Sequence, residues 1–249
     1  MEKTDLYQTI FKRKSIRNYD LTPLDQSTLT EISDYFNTLT PMYNNIKVEL
    51  KLISPDNVKR RMMKKAPHYI AIFSENKEGY LANAGFMLQQ MDLFLSANEV
   101  GSCWQALPKP KKEVLESSNL NFIILIAFGT ANEPLHRKSV SEFKRKSIDE
   151  ISDVAGAEKL VEAARLAPFG SGQSWFFTGN ENIIHAYTKP GLIMGLLAKK
   201  YVPLDVGIAL CHMKLAAEYS GRNTKIVSNK KAKDSTPGGY EYITSLKQI

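Results

Sequence analysis

A short basic motif near the N-terminus carries the residues best suited to bind an anion. It reads Arg13-Lys14-Ser15-Ile16-Arg17. Phosphate groups are bound by guanidinium forks, hydroxyl donors and free backbone N–H groups, and Arg13, Ser15 and Arg17 supply the first two. In an extended segment all three face one side, whereas a helical start would bring Arg13 and Arg17 together as an i, i+4 pair. Either geometry converges on one anion, and the alternative for an isolated motif is a solvated basic turn.

Other reactive residue types form no recognisable constellation. Cys103 and Cys211 lie far apart without a Cys-x-x-Cys pair, so we expect neither a disulfide framework nor a thiolate metal site. The four histidines have no ligand-like spacing, which predicts that no metal is bound. No Ser-His-Asp, Cys-His or paired-carboxylate arrangement is visible, so no side chain is assigned as a catalytic acid or base.

The composition indicates a globular, cytoplasmic protein. The 249 residues are 43% hydrophobic and 24% charged, enough to bury a substantial core. The net charge of +7 comes without a nucleic-acid-binding module, so we expect no nucleic-acid partner. The longest apolar run, Phe122 to Phe128, is far shorter than the ~20 residues of a membrane helix. We therefore expect no membrane association, and the polar start, Glu2 to Asp5, predicts no secretory signal.

The basic motif recurs in the second half of the chain. Residues 11–17 read FKRKSIR and residues 143–149 read FKRKSID. Each copy is followed by an amphipathic helix pattern, Leu29 to Leu39 and Leu160 to Ala167, and then by a proline. The strand-like runs that come next are Val48 to Ile53 and Trp175 to Thr178.

A third pair of patterns indicates two further equivalent helices. Both are predicted to end at a glycine. The equivalent positions are Tyr80 and Tyr201, Gly85 and Gly207, Met91 and Met213, Leu93 and Leu215, and Gly101 and Gly221.

This order predicts an α+β fold in which mixed central sheets are flanked by helices. We expect two unequal copies of one unit, residues 1–135 and a reduced second copy, residues 136–249, joined by a polar connector near Asn132 to Ser141. The last strand, Tyr240 to Leu246, is expected to cross into the sheet of the other half, which makes the halves one cooperative unit.

Together these residues resemble the nitroreductase superfamily, FMN-dependent oxidoreductases that are usually homodimers with the flavin at the subunit interface. The basic motif is similar to one family signature. The helix end, small turn and Gln-x-Trp of residues 167–175 resemble a second, and Gly-Ser-Cys-Trp at 101–104 a third. The tandem form resembles a bacterial and archaeal single-chain group, which implies a nitroreductase-like fold and a monomer that forms a pseudo-dimer.

The resemblance implies one FMN site that spans the halves. The first copy would bind the phosphate, the second copy's turn would cover the ring edge, and the segment from Trp104 would lie along the isoalloxazine; the equal alternative is that Trp104 fills core. Lys230, Lys231 and Lys233 are further candidates that no local spacing fixes. The implied cofactor-binding residues are Arg13, Lys14, Ser15, Arg17, Trp104, Gln105, Ala106, Leu107, Pro168, Phe169, Gly170, Ser171 and Gln173.

A reciprocal site would use residues 145–147 with the turn Thr40 to Tyr43. There, however, Asp149 stands at the position equivalent to Arg17, and a carboxylate repels phosphate. We therefore expect one FMN per chain.

The implied activity is that of an NAD(P)H oxidoreductase. NADH or NADPH would donate hydride to flavin N5, leave, and be replaced by a small-molecule acceptor such as a nitroaromatic or quinone, giving ping-pong kinetics. The turn over the flavin departs from the family pattern, because Phe169 replaces a small polar residue, Ser174 replaces proline and the usual Asn is lost. The alternative is thus an FMN-binding protein without reductase turnover, acting as a carrier, sensor or degenerate relic.

Overall fold

The computed structural model describes residues 3–59, 65–170, 172–189 and 196–249, which form helices and antiparallel sheets. The α-helices are α1 (Lys3–Ile10), α2 (Gln26–Tyr35), α3 (Tyr80–Ala97), α4 (Lys112–Glu116), α5 (Ile148–Ile151), α6 (Glu158–Arg165), α7 (Leu196–Tyr219) and α8 (Lys230–Asp234). The strands are β1 (Val48–Ile53), β2 (Val58–Lys59), β3 (His68–Ser74), β4 (Gly101–Gln105), β5 (Lys109–Pro110), β6 (Asn121–Gly129), β7 (Trp175–Asn180), β8 (Ile183–Thr188), β9 (Thr224–Val227) and β10 (Glu241–Gln248). The predicted α+β class is confirmed.

Two four-stranded antiparallel sheets have the same strand order. The first runs β1-β3-β6-β4 and the second β7-β8-β10-β9. In each, two strands precede a long helix, α3 or α7, and the last strand of the unit inserts between the second and third. The order of helices and strands that the repeat predicted is therefore present in both halves.

The first sheet is covered on both faces, which explains why its strands are apolar at nearly every position. Alternate residues such as Ile70 and Ile72 pack into the main core with α3 and α7. Their neighbours Tyr69, Ala71 and Phe73 pack into a smaller second core on the opposite face. Because successive strand residues point to opposite faces, both sets must be apolar.

The long helices α3 and α7 cross at two glycines. A Cβ on Gly85 would overlap the backbone carbonyl of Leu204, and a Cβ on Gly207 would overlap the backbone carbonyl of Ala82. The two contacts are reciprocal, because Leu204 lies three residues before Gly207 just as Ala82 lies three residues before Gly85. Only a residue without a side chain allows the backbones to approach this closely.

Two details of the sequence prediction are wrong. The C-terminal strand β10 pairs with β8 and β9 of its own half and does not cross into the first sheet. The reason is local: β8 and β9 flank it on both sides, so its backbone groups are satisfied within the second sheet. Helix α3 does not end at Gly101, which begins β4; it ends at Ala97, and Glu99 adopts the positive φ of 60°. Helix α7 does end near glycine, with Gly221 at φ 73°.

Within the described ranges, no helix has the length and apolar character needed to cross a bilayer.

Replacing Gly85 with alanine should destabilise the protein by about 2 kcal/mol, since overpacking at a backbone crossing outweighs the ~1 kcal/mol gain in helix propensity. The loss in the free energy of unfolding is measured by urea denaturation, with one m-value fitted to the native protein and the variants. Gly238→Ala is the control, because no atom lies within 4 Å of its added Cβ. Equal midpoints for the two variants would show that the crossing tolerates a side chain.

Candidate functional site

A cleft between the halves consists of two adjoining cavities. One has a volume of about 270 Å³ and the other about 330 Å³. Four residues line both, so the cavities are parts of one cleft. These shared residues are Ser15, Arg17, Pro168 and Phe169.

The larger cavity is strongly basic. Its lining includes one carboxylate, Glu133, and five cationic side chains. Glu133 accepts hydrogen bonds from the backbone N–H groups of Arg17 and Asn18, at 3.0 and 3.2 Å, and pairs with Lys14 at 3.3 Å. The five cations are Arg13, Lys14, Arg17, Arg137 and Arg145. This excess of positive charge, converging from separate segments, suits a multiply charged anion.

The first basic motif is extended, not helical. Ile16 N donates to Ser102 O at 2.8 Å, and Ser15 bridges to Ser102 in parallel orientation. Ile16 is fully buried, while Ser15 and Arg17 on either side of it line both cavities. Of the two geometries open from the sequence, the alternation of an extended segment is the one observed.

Arg13 is held from behind by a buried carboxylate. Its Nε lies 2.9 Å from Asp92 Oδ2, and the two side chains are 1% and 0% exposed. Asp92 Oδ1 also accepts from Ser102 Oγ at 2.6 Å, and Arg13 Nη2 donates to Ser15 Oγ at 3.2 Å. Removing one partner of such a pair costs about 3–5 kcal/mol. The pair therefore fixes Arg13 and, through it, Ser15.

The buried polar network continues from Asp92 to the second half. Gln89 Nε2 donates to Asp92 Oδ2 at 3.3 Å and lies 3.0 Å from His212 Nε2. His212 Nδ1 lies 2.9 Å from Ala163 O, which can only accept, so Nδ1 carries the proton and Nε2 accepts from Gln89. Burial lowers the pKa of His212 to about 3, outweighing the hydrogen bond to Ala163. His212 is thus neutral and joins α3, α6 and α7.

Two arginines that the sequence did not assign to this site belong to it. Arg137 donates to the backbone carbonyl of Arg13 and stacks over Phe143, 3.9 Å from the ring centroid. Arg145 lies 4.8 Å from the centroid of Phe169, and burial together with the charges of nearby arginines lowers its pKa to about 10. From the sequence, Arg145 is considered only for a reciprocal site that is not expected to bind FMN; in the structure the Arg145 side chain lines the basic cavity together with Arg13.

The smaller cavity is mainly apolar. Its walls come from β4 and the residues after it, from β6, from the turn after α6, and from α7. Leu107 and Phe169 line this cavity and are 45% and 37% exposed, so they add apolar surface to its accessible wall. The lining residues beyond the shared four are Cys103, Trp104, Ala106, Leu107, Ile124, Gly170, Tyr201, Leu204, Asp205 and Ile208.

Asp205 is the functional candidate that the sequence prediction missed. Its carboxylate is 2% exposed and accepts from Gly170 N, with Oδ1 and Oδ2 at 3.2 and 3.1 Å. The bond ties the turn that follows Pro168 to α7. A signal existed in the sequence, because a lone carboxylate within the apolar run 202–208 needs a buried partner or a function.

The structure brings most of the predicted site residues together. Gln105 and Gln173 are not among the residues that line the cleft: Gln105 is buried in β4, and Gln173 accepts from Lys146 N at 2.7 Å and donates to Arg165 O at 3.0 Å. Ser171 lies outside the described residues. Lys230, Lys231 and Lys233 lie on α8, away from the lining of the cleft. The predicted residues that line it are Arg13, Lys14, Ser15, Arg17, Trp104, Ala106, Leu107, Pro168, Phe169 and Gly170.

Comparison with known proteins identifies relatives across almost the whole chain. Residues 5–217 match the family described as "Putative TM nitroreductase". No curated protein matches the sequence. The structure of a protein described as a putative nitroreductase, from Thermotoga maritima, is 19% identical and aligns over 100% of this chain and 95% of that chain with a TM-score of 0.67. The overall fold is therefore shared with that structure.

Shorter structures align with part of the chain. A nitroreductase family protein from Clostridium difficile 630 is 16% identical over 60% of this chain and 96% of its own, with a TM-score of 0.46. An FMN-dependent nitroreductase from Clostridium difficile R20291 is 17% identical over 56% of this chain and 93% of its own, with a TM-score of 0.43.

The neutral, buried His212 should make stability fall with acidification. In the unfolded chain His212 binds a proton near pH 6.5, whereas in the folded protein its pKa is about 3. The stabilisation that the neutral His212 side chain contributes is therefore complete above pH 6.5 and is lost as the pH falls towards 3. The difference in unfolding free energy between the native protein and His212→Gln should shrink between pH 7 and pH 4, by up to ~1.4 kcal/mol per unit. A difference that stays constant over this range would mean that His212 does not titrate as its burial requires.

Proposed function

Given that the chain belongs to the family described as "Putative TM nitroreductase", we propose that it is an FMN-dependent NAD(P)H oxidoreductase that reduces small nitroaromatic or quinone-like acceptors. The observation that carries this proposal is the cleft, which is polycationic at one end and apolar at the other. The charge distribution of FMN is complementary to this cleft, because a phosphate with nearly two negative charges is joined to a flat ring system. Nitroreductase relatives with FMN in their description support the choice of cofactor.

The basic end fits the phosphate. Arg145 is partly buried near other arginines, and desolvation together with their positive charges lowers its pKa, so an anion would relieve an existing electrostatic cost. Arg17 and Ser15 would bind the phosphate directly from the first half, with Arg145 from the second and Arg137 from the connector. Arg13 would act mainly by fixing Ser15, because its Nε is committed to Asp92.

The apolar end fits the ring. Trp104, Ile124 and Ile208 supply apolar surface, and the turn Pro168 to Gly170 forms the wall contributed by the second half. Phe169 and Leu107 would be covered by the ring, which accounts for their exposure. FMN, when bound, supplies the redox chemistry by taking hydride from a nicotinamide and passing electrons to an acceptor in a ping-pong sequence. The chain's residues bind the ring, orient it and exclude water.

We further propose that residues 1–135 and 136–249 are two fused copies that act as a monomeric pseudo-dimer with one flavin. The identical strand orders, the reciprocal glycine contacts and the recurring FKRKSI motif support this. The second site would lack its phosphate cation, because Asp149 occupies the place equivalent to Arg17. The turn Thr40 to Tyr43, which would cover this second site, is itself closely packed: Met42 is 7% exposed, and Tyr43 packs against Gly79.

An anaerobic absorbance titration tests the function. Purified protein titrated with FMN should bind one flavin per chain, and addition of NADH or NADPH should bleach the flavin absorbance, with colour restored by a nitroaromatic or quinone. Bound flavin that neither nucleotide bleaches would instead support a carrier or sensor. Failure to bind FMN would overturn the proposal.

Arg145→Gln should weaken FMN binding by roughly 10- to 100-fold, since a hydrogen bond to a charged group contributes about 1.5–3 kcal/mol. Isothermal titration with FMN measures the loss. Arg222→Gln is the matched control, because Arg222 lies near Glu181, away from the lining of the cleft. If both variants bind FMN as the native protein does, Arg145 has no part in the phosphate site.

A further inference from the structure

The phenylalanines of the two FKRKSI motifs lie in different surroundings. Phe143, in the second motif, is 6% exposed. The guanidinium carbon of Arg137 lies 3.9 Å from its ring centroid, and that of Arg145 lies 5.5 Å away. Phe11, at the equivalent position of the first motif, packs edge to face with Tyr7, with ring centroids 5.1 Å apart. The described residues thus place arginines against the phenylalanine of the second motif but not against that of the first.

Both arginines line the basic cavity, and among the described residues neither forms an ion pair with a carboxylate. Arg137 donates to the backbone carbonyl of Arg13. Arg145 donates to the backbone carbonyls of Lys144 and Leu166, at 3.0 and 3.5 Å. Burial and nearby positive charges lower the pKa of both guanidiniums. The two cations are therefore held close to other cations by uncharged partners.

An aromatic ring holds an arginine differently from a carboxylate. Asp92 pairs with Arg13 at 2.9 Å, and such a pair offsets the charge of the guanidinium and uses its in-plane N–H groups. A ring attracts the face of the guanidinium through its quadrupole and leaves the in-plane N–H groups available for an anion. An arginine ordered in advance also loses less side-chain entropy when a ligand binds. Phe143 thus orders two arginines without neutralising them.

On the basis of the proposed FMN site, we propose that Phe143 is a positioning residue that orders Arg137 and Arg145 for the phosphate, and that it thereby determines the preference of the site for FMN over riboflavin. Riboflavin has the same ring system and lacks the phosphate. Phe143 is not among the residues that line the cleft, so it acts through the arginines. Arg145 has a second ring partner, Phe169, at 4.8 Å, so the larger loss of order on removing Phe143 is expected at Arg137.

Phe143→Leu tests this inference, because leucine keeps an apolar side chain at this buried position and removes the ring. The measurement is the dissociation constant of FMN and that of riboflavin, both from titrations of flavin fluorescence with the full-length protein. We expect FMN binding to weaken about tenfold, since cation–π contacts of partly desolvated arginines are lost, and riboflavin binding to stay at the native level. Phe143→Met removes the ring with a side chain of similar size and serves equally if the leucine variant does not fold.

Two variants control for packing. Phe11→Leu is the same substitution at the equivalent position of the first motif, where the ring contacts Tyr7, and it should keep the native preference for FMN. Phe143→Tyr restores a ring face and should also keep that preference. A general loss of packing would weaken the binding of both flavins together, whereas loss of ordered arginines changes only the binding of the phosphorylated one.

The outcomes separate this inference from the proposed function. If the native protein prefers FMN, and Phe143→Leu keeps the native ratio of the two dissociation constants or weakens the binding of both flavins equally, the role of Phe143 is overturned and the proposed function stands. Loss of the preference in Phe11→Leu or in Phe143→Tyr would overturn it as well. Failure of the native protein to bind FMN would overturn both.

Discussion

The reciprocal crossing of α3 and α7 is the constraint on which the rest of the structure depends. Gly85 and Gly207 let each helix rest on a backbone carbonyl of the other, so their relative position is fixed by backbone atoms and not by adaptable side chains. Both walls of the cleft are attached to these helices. Asp92 on α3 holds the basic motif through Arg13, and Asp205 on α7 holds the turn after Pro168. The width of the cleft is therefore set by the crossing.

The buried charges beside this crossing are better explained by positioning than by stability. A buried ion pair such as Arg13–Asp92 contributes little relative to well-packed apolar residues, because desolvation offsets most of the attraction. What it provides is a defined geometry: the guanidinium is bound on one edge, and Ser15 accepts from another nitrogen. His212 and Gln89 complete the network without adding charge, since the low pKa of His212 keeps it neutral. A single counter-charge thus orders one end of the anion site.

The sequence predicted what depends on local pattern and repetition. Strands such as β1 and helices such as α6 lie within one or two residues of the expected positions, and the extended basic motif was one of two stated geometries. It could not predict which distant side chains share a cavity. Arg145 lines the basic cavity together with the first half's motif, and Asp205 lines the apolar cavity, because tertiary packing brings together segments that are distant in the sequence. Gln173, although part of a recognisable motif, is turned towards Lys146 and Arg165, where it holds the loop.

Within the proposed two-copy arrangement, charge is distributed so that only one cleft can serve an anionic cofactor. The position of Arg17 is Asp149 in the second half, and the position of Asp205 is Asn83 in the first. A homodimer cannot have different residues at its two equivalent sites, because one substitution changes both of them. A fused pair can, and Arg145 illustrates the consequence: the arginine of the second motif adds its charge to the basic cavity of the first. The asymmetry therefore increases the positive charge at one site while leaving the packing that both halves need unchanged.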